Sequence, residues 1–169
     1  MGNIIKPSLG EVISVNYRQH PRYRDCIGHW MMGEGGGATL YDLSGYANPG
    51  TLVNTPPWSV GRFGHALSFN GSTQYVNLGN PAFANLGAGN FTMSAWIYNN
   101  SQTTLDSIFS KDKDGASNSR QWYFILNGDW TGAVSAGRLS AMVFSSNLNG
   151  YGVDSAAGVV SANAWHHVV

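Results

Sequence analysis

The amino-acid sequence predicts an all-β protein of short antiparallel strands packed as a sandwich or barrel. Three observations carry that prediction. The first is composition: 22 glycines in 169 residues and only 11% charged side chains, against about 25% in an average domain. Glu11 and Glu34 are the only glutamates, so the wet faces of long amphipathic helices could not be supplied. The second is punctuation. Apolar stretches are short, and Gly- and Asn-bearing turn signals separate them. The third is alternation with a period of two. Phe91, Met93, Ala95 and Ile97 fall on one face of a strand, and Thr92, Ser94, Trp96 and Tyr98 on the other. Residues 138–144 divide likewise into Leu139, Ala141, Val143 against Ser140, Met142, Phe144.

In chain order, residues 1–26 read as a polar lead-in with Pro7 and Pro21. Its basic stretch, carrying Arg18, His20, Arg22 and Arg24, reads as a solvated linker. Cys26 is the only cysteine, so no internal disulfide can form, and it reads as a small core residue. From Ile27 the expected strands are 29–32, 39–43, 65–69, 74–78, 91–98, 107–110, 121–126, 138–144 and 165–169. Residues 69–75, with Asn70-Gly71 at the tip, predict a hairpin. No repeat of 20–50 residues is visible.

Several function classes are disfavoured. Nine basic residues balance nine acidic ones, which argues against nucleic acid, whose binders present a basic stripe. No apolar run reaches the roughly 18 residues of a membrane span. The first residues lack the continuous apolar core of a signal peptide. Asn70, Asn90 and Asn99 lie in N-x-Ser/Thr sequons, which carry little weight without a secretory signal.

Four ordered signatures resemble the LamG-like jelly-roll family of the laminin G and concanavalin A-like superfamily. They are Gly28-His29-Trp30 with Gly33-Glu34-Gly35, Tyr41-Asp42-Leu43-Ser44-Gly45 and Asn48-Pro49-Gly50-Thr51-Leu52; Gly61-Arg62-Phe63-Gly64-His65-Ala66-Leu67-Ser68-Phe69-Asn70-Gly71 with Tyr75-Val76; Phe91-Thr92-Met93-Ser94-Ala95-Trp96-Ile97; and Trp165-His166-His167-Val168-Val169. The resemblance implies a two-sheet antiparallel jelly roll over residues 27–169. It also implies a module that binds carbohydrate or a protein surface, in some members with calcium. The family continues beyond Trp-His-His with further strands, so the jelly roll is expected to be incomplete at the C-terminus. The lead-in at 5–10 resembles LamG-like proteins of bacteriophage and environmental bacteria, which favours an extracellular or virion-associated setting.

Chemistry-bearing residues are sparse. A glycosidase needs two carboxyls about 5–9.5 Å apart; the resemblance implies that a glucanase of this fold would display them along one strand, and no predicted strand carries such a pair, so the chain is expected not to be an enzyme. Asp112 and Asp114 fall in a turn, and a calcium loop begun there would place Tyr123 where a glutamate is needed. The resemblance implies Asp42 as a calcium ligand, and Asn48 could add an oxygen; the alternative is an Asx-turn in which Asp42 accepts backbone N–H bonds. The Gly33–Gly37 run lacks the Lys-Ser/Thr of a phosphate loop. His166 and His167 are neighbours on a strand and face apart, which disfavours zinc. Sugars stack on exposed aromatics, and Trp130 and Tyr151 sit among turn signals where a ring is less needed for the core; the alternative is that they pack within their loops, and Trp58, Trp122 and Tyr123 are further candidates. Trp30, Trp96 and Trp165 are expected in the core. Three functions follow in order: a non-catalytic binding or adhesion module for a glycan or protein surface, a structural component of a phage particle or cell surface, and a concanavalin A-like hydrolase.

Overall fold

A computed structural model describes residues 25–86, 89–111, 121–129, 131–144 and 150–169. Every strand pairing in it is antiparallel, and the one helical element is a single 3-10 turn at Ala82–Ala84. The chain is thus all-β, as its composition requires. It divides into two compact units, one ending at Phe83 and the other beginning at Ala84.

In the first unit β1 (Thr39–Leu40), β2 (Gly50–Val53) and β5 (Tyr75–Asn77) form a sheet in the order β1-β2-β5. A separate hairpin joins β3 (Trp58–Gly61) to β4 (Gly64–Leu67), closed by the Gly61–Gly64 pair. Gly64 has φ +95°, and a Cβ on Gly61 would meet the His65 carbonyl oxygen at 2.4 Å, so this turn needs its glycines. Leu40, Leu52 and Leu67 form the core, flanked by Trp30, Met32, Trp58 and Val76.

The hairpin expected at 69–75 does not form. β4 pairs with β3 and β5 with β2, so the segment is a connection between sheets. The Asn70 carboxamide oxygen accepts the N–H groups of Ser72, Thr73 and Gln74 at 3.0–3.2 Å. A side chain therefore closes the turn that Asn-Gly was expected to close with backbone.

The second unit is a sandwich. β7 (Asp106–Lys111), β8 (Trp122–Gly128), β9 (Val134–Phe144) and β10 (Gly150–Asp154) form a meander in the order β7-β8-β9-β10. β6 (Ala95–Tyr98) pairs with β11 (Trp165–Val168) in a second, two-stranded sheet. Between them lies a core of Phe124, Leu126, Val160 and Val168, with Ala95 and Ile97 packed on it from β6 and Leu139 and Ala141 from β9. The alternation at 91–98 and 138–144 placed these four inward residues on the correct faces.

At the end of β8 the register slips between Leu126 and Gly128, and Asn127 enters the left-handed region at φ 61° with no exposed surface. Its amide is fully used. Nδ2 donates to the Ser101 carbonyl and to Asp106 Oδ2, both at 3.0 Å; Oδ1 accepts Gly137 N–H at 2.9 Å and Asn99 Nδ2 at 3.4 Å. Asparagine tolerates this backbone better than most residues, and complete bonding removes the penalty of burying it.

Candidate binding face

The two-stranded sheet positions the candidate site. Because Ala95 and Ile97 fill the inward positions of β6, Trp96 and Tyr98 project outward and remain 45% and 43% exposed. The register pairs Trp165 with Tyr98 and His167 with Trp96, so all four rings share the outer face. Trp96 and His167 lie 5.3 Å apart between centroids at an interplanar angle of 31°, and Tyr98 and Trp165 meet edge-on at 5.5 Å and 62°. His166, opposite Ile97, turns the other way and meets Ser161 Oγ at 3.1 Å. The outer face thus carries a patch of ring surface edged by indole, phenol and imidazole groups that can exchange hydrogen bonds.

This corrects the expectation that Trp96 and Trp165 are core residues. Trp165 is half-buried and Trp96 substantially exposed, both on the far side of the sheet from the core. The signal was in the sequence, since alternation puts Trp96 and Tyr98 with Thr92 and Ser94, which are exposed too. Trp30 does pack on its core, and its Nε1 donates to the Asn48 carbonyl at 2.9 Å.

Tyr151 belongs to a second surface. It lies on strand β10, not in a loop, and is 75% exposed. With Phe91, Met93, Val143 and Val153 it lines an open groove of about 280 Å³. Its register partner Val143 alternates with core-packed Ala141, so this groove lies on the core side of the four-stranded sheet, away from the outer rings of β6 and β11. Trp130 lies outside the described residues. Trp58 and Trp122 are structural: their indole N–H groups donate to the carbonyls of Gly37 at 3.1 Å and Ala84 at 2.9 Å. Tyr123 meets Phe144 edge-on at 5.5 Å.

Around Asp42 the structure takes the Asx-turn arrangement. Oδ1 accepts the N–H groups of His29 at 2.9 Å and Ser44 at 2.8 Å; Oδ2 accepts Ser44 Oγ at 2.8 Å and Asn48 N–H at 3.1 Å. Burial pushes the carboxyl up, but these four donors outweigh it and hold Asp42 below the usual carboxylate range. Burial also lowers the His29 imidazole, partly opposed by attraction to Asp42. A carboxylate has about four lone-pair positions, and here each faces a donor. Calcium needs free oxygens aimed at one point, so Asp42 as arranged does not fit it. Asn48 contributes its N–H to Asp42 and its carbonyl to Trp30.

Glu34 accepts Tyr41 N–H through Oε1 at 2.8 Å, while its Oε2 is buried without a hydrogen-bond partner, and three aspartates are engaged locally. Asp106 accepts from Asn127, Asp129 from Thr131 and Ala133, and Asp154 from Ser140 at 2.6 Å beside Arg138 at 3.7 Å. Among the described residues no group of three or more His, Cys, Asp or Glu side chains is placed to hold a metal ion. None of the described helices is long and apolar enough to cross a membrane.

The all-β antiparallel architecture and the family match below give the class of protein: a lectin-like scaffold, compatible with a binding module. The chain belongs to the Concanavalin A-like lectin/glucanases superfamily, whose laminin G-type family model matches residues 70–169. No curated protein and no solved structure matches it.

Proposed function

We propose that this protein is a non-catalytic binding module that holds carbohydrate on the outer face of β6 and β11. The observation that carries the reading is the cross-strand pairing of four rings on a solvent-facing sheet surface, with Trp96 and Tyr98 each more than two-fifths exposed. Burying large rings is the most favourable use a folding chain makes of them. Rings left outside can stack on the apolar faces of sugar rings, while Tyr98 and His167 exchange hydrogen bonds with sugar hydroxyls. The non-catalytic reading is supported by the engagement of Asp42, Asp106, Asp129 and Asp154 in local hydrogen bonds, which leaves none of these four arranged as an acid beside a nucleophile.

Affinity electrophoresis against a polysaccharide panel tests this. Retardation by at least one glycan, weakened about tenfold by Trp96→Ala, is expected. No retardation, or retardation indifferent to both Trp96→Ala and Tyr98→Ala, refutes the assignment. The apolar groove beside Tyr151 favours a second reading, adhesion to a protein surface, because its lining offers few partners for sugar hydroxyls. Under that reading Tyr151→Ala impairs capture while Trp96→Ala does not.

A further inference from the structure

The four-stranded sheet ends in two unlike edges. β7 carries a register irregularity between Ser107 and Phe109 and is bounded by Asp106 and Lys111, devices that discourage further pairing. β10 has no register irregularity and no lysine, and its one charged residue, Asp154, is turned toward Ser140 and Arg138 of its own sheet. Its sequence is Gly-Tyr-Gly-Val-Asp, without proline, and all five residues are exposed. Among the described residues its outer side is unpaired.

The orientation of its backbone follows from two hydrogen bonds of β9. The Leu139 carbonyl accepts Ser155 N–H at 2.9 Å, and Phe144 N–H donates to the Gln121 carbonyl at 2.8 Å. Residues 139, 141 and 143 therefore address β10, and residues 140, 142 and 144 address β8. Opposite them, Tyr151 and Val153 turn their backbone groups to β9, while Gly150, Gly152 and Asp154 turn theirs outward.

We propose that β10 pairs with β10 of a second copy, antiparallel about a two-fold axis at Gly152. Of the two-fold registers that join the outward-facing residues, that one pairs all five residues of the strand. Gly152 meets Gly152 of the second copy, and Gly150 meets Asp154, each pair exchanging both N–H···O bonds. The glycines place no side chain over those bonds. Tyr151 falls directly opposite Val153 of the second copy, and Val153 opposite Tyr151, in the close-packed type of pair where an aromatic beside a β-branched side chain stabilises most. Tyr151 and Val153 are 75% and 73% exposed, so both gain by this contact. Charge permits it too. Asp154 is turned toward Ser140 and Arg138 of its own sheet, and it faces a glycine across the axis, so the two carboxylates do not oppose each other. A single strand edge makes a small interface, so the dimer forms reversibly with concentration.

Sedimentation equilibrium of the whole chain over a concentration series tests the pairing. The mass is expected to rise from one copy to two and stop there, because a two-fold contact closes. Gly152→Pro removes an outward N–H and leaves the bonds to β9 intact. Val153→Lys introduces charge opposite Tyr151. Each should raise the dimer dissociation constant about tenfold or more with cooperative melting retained, and Val153→Lys decides alone if Gly152→Pro does not fold. A monomer at every concentration, growth beyond two copies, or a dimer that both folded variants leave unchanged would overturn the proposal.

Discussion

The buried Asn127 amide allows a graded test of what holds the β8–β9 corner. Replacing it with alanine strips four contacts at once. Gly137 is buried, so its N–H is left without an acceptor and costs about 1–3 kcal/mol. Ser101 lies at the surface and Asp106 is half-buried, so water partly replaces Nδ2 at those two, and the Asn99 contact is long at 3.4 Å. Together they add about 1 kcal/mol. The left-handed φ of 61° adds about 1 kcal/mol more for alanine but not for glycine. The expected loss is therefore about 3–5 kcal/mol for Asn127→Ala, with Asn127→Gly milder by about 1 kcal/mol. Asn127→Asp keeps the acceptor but loses both donors and sets a second carboxylate against Asp106, so it should destabilise as much as alanine. Equilibrium urea unfolding of the three variants beside wild type measures this, with the slope m checked for constancy. A loss below about 1 kcal/mol for alanine, or no gap between alanine and glycine, would refute the account of the corner.

Acid should weaken the protein through the Asp42 clasp. The folded pKa of Asp42 is depressed, so its contribution is complete above the usual aspartate value near 4 and is lost as pH falls through the folded value. His29, also depressed, costs stability as pH falls below its usual value near 6.5. Asp42→Asn should melt lower at neutral pH and lose less between pH about 5 and 3; a parallel pH curve would count against the clasp. Because every lone pair of Asp42 faces a donor, the melting temperature should be the same in millimolar calcium as in EDTA; an upward shift abolished by Asp42→Ala would restore the calcium assignment. The purified protein should not hydrolyse β-glucans or galactans, and turnover removed by changing one acidic residue would overturn the non-catalytic reading.

Most of the fold was legible because its strands obey a period of two. Residues 107–110, 121–126, 138–144 and 165–169 were read within a few positions of β7, β8, β9 and β11. What escaped were strands without an apolar pattern. Gly50–Val53, Trp58–Gly61 and Gly150–Asp154 hold two, two and three glycines or polar residues and only two apolar ones each, and pairing to a neighbour, not their own composition, makes them strands. The candidate face was half legible. Alternation had grouped Trp96 and Tyr98 with Thr92 and Ser94, but the bulk of tryptophan argued for the core, and that argument lost because Ala95 and Ile97 already filled it. The partnership with Trp165 and His167 could not be read, since a register between strands so far apart in sequence has no local signature.

That separation also bears on the order in which the molecule assembles. Phe144 meets Gly150 across six residues, while Tyr98 meets Trp165 across 67 (165 less 98). From an unfolded chain, closing the longer loop costs about 2 kcal/mol more than closing the shorter one. The β7–β10 meander, made of successive neighbours, therefore supplies the early contacts, and β11 docks beside β6 once that sheet exists to receive Val168 against Phe124 and Leu126. The ring-bearing sheet is a late acquisition in folding. A change that slows only its docking would leave a protein with most of its strands and no paired face of rings.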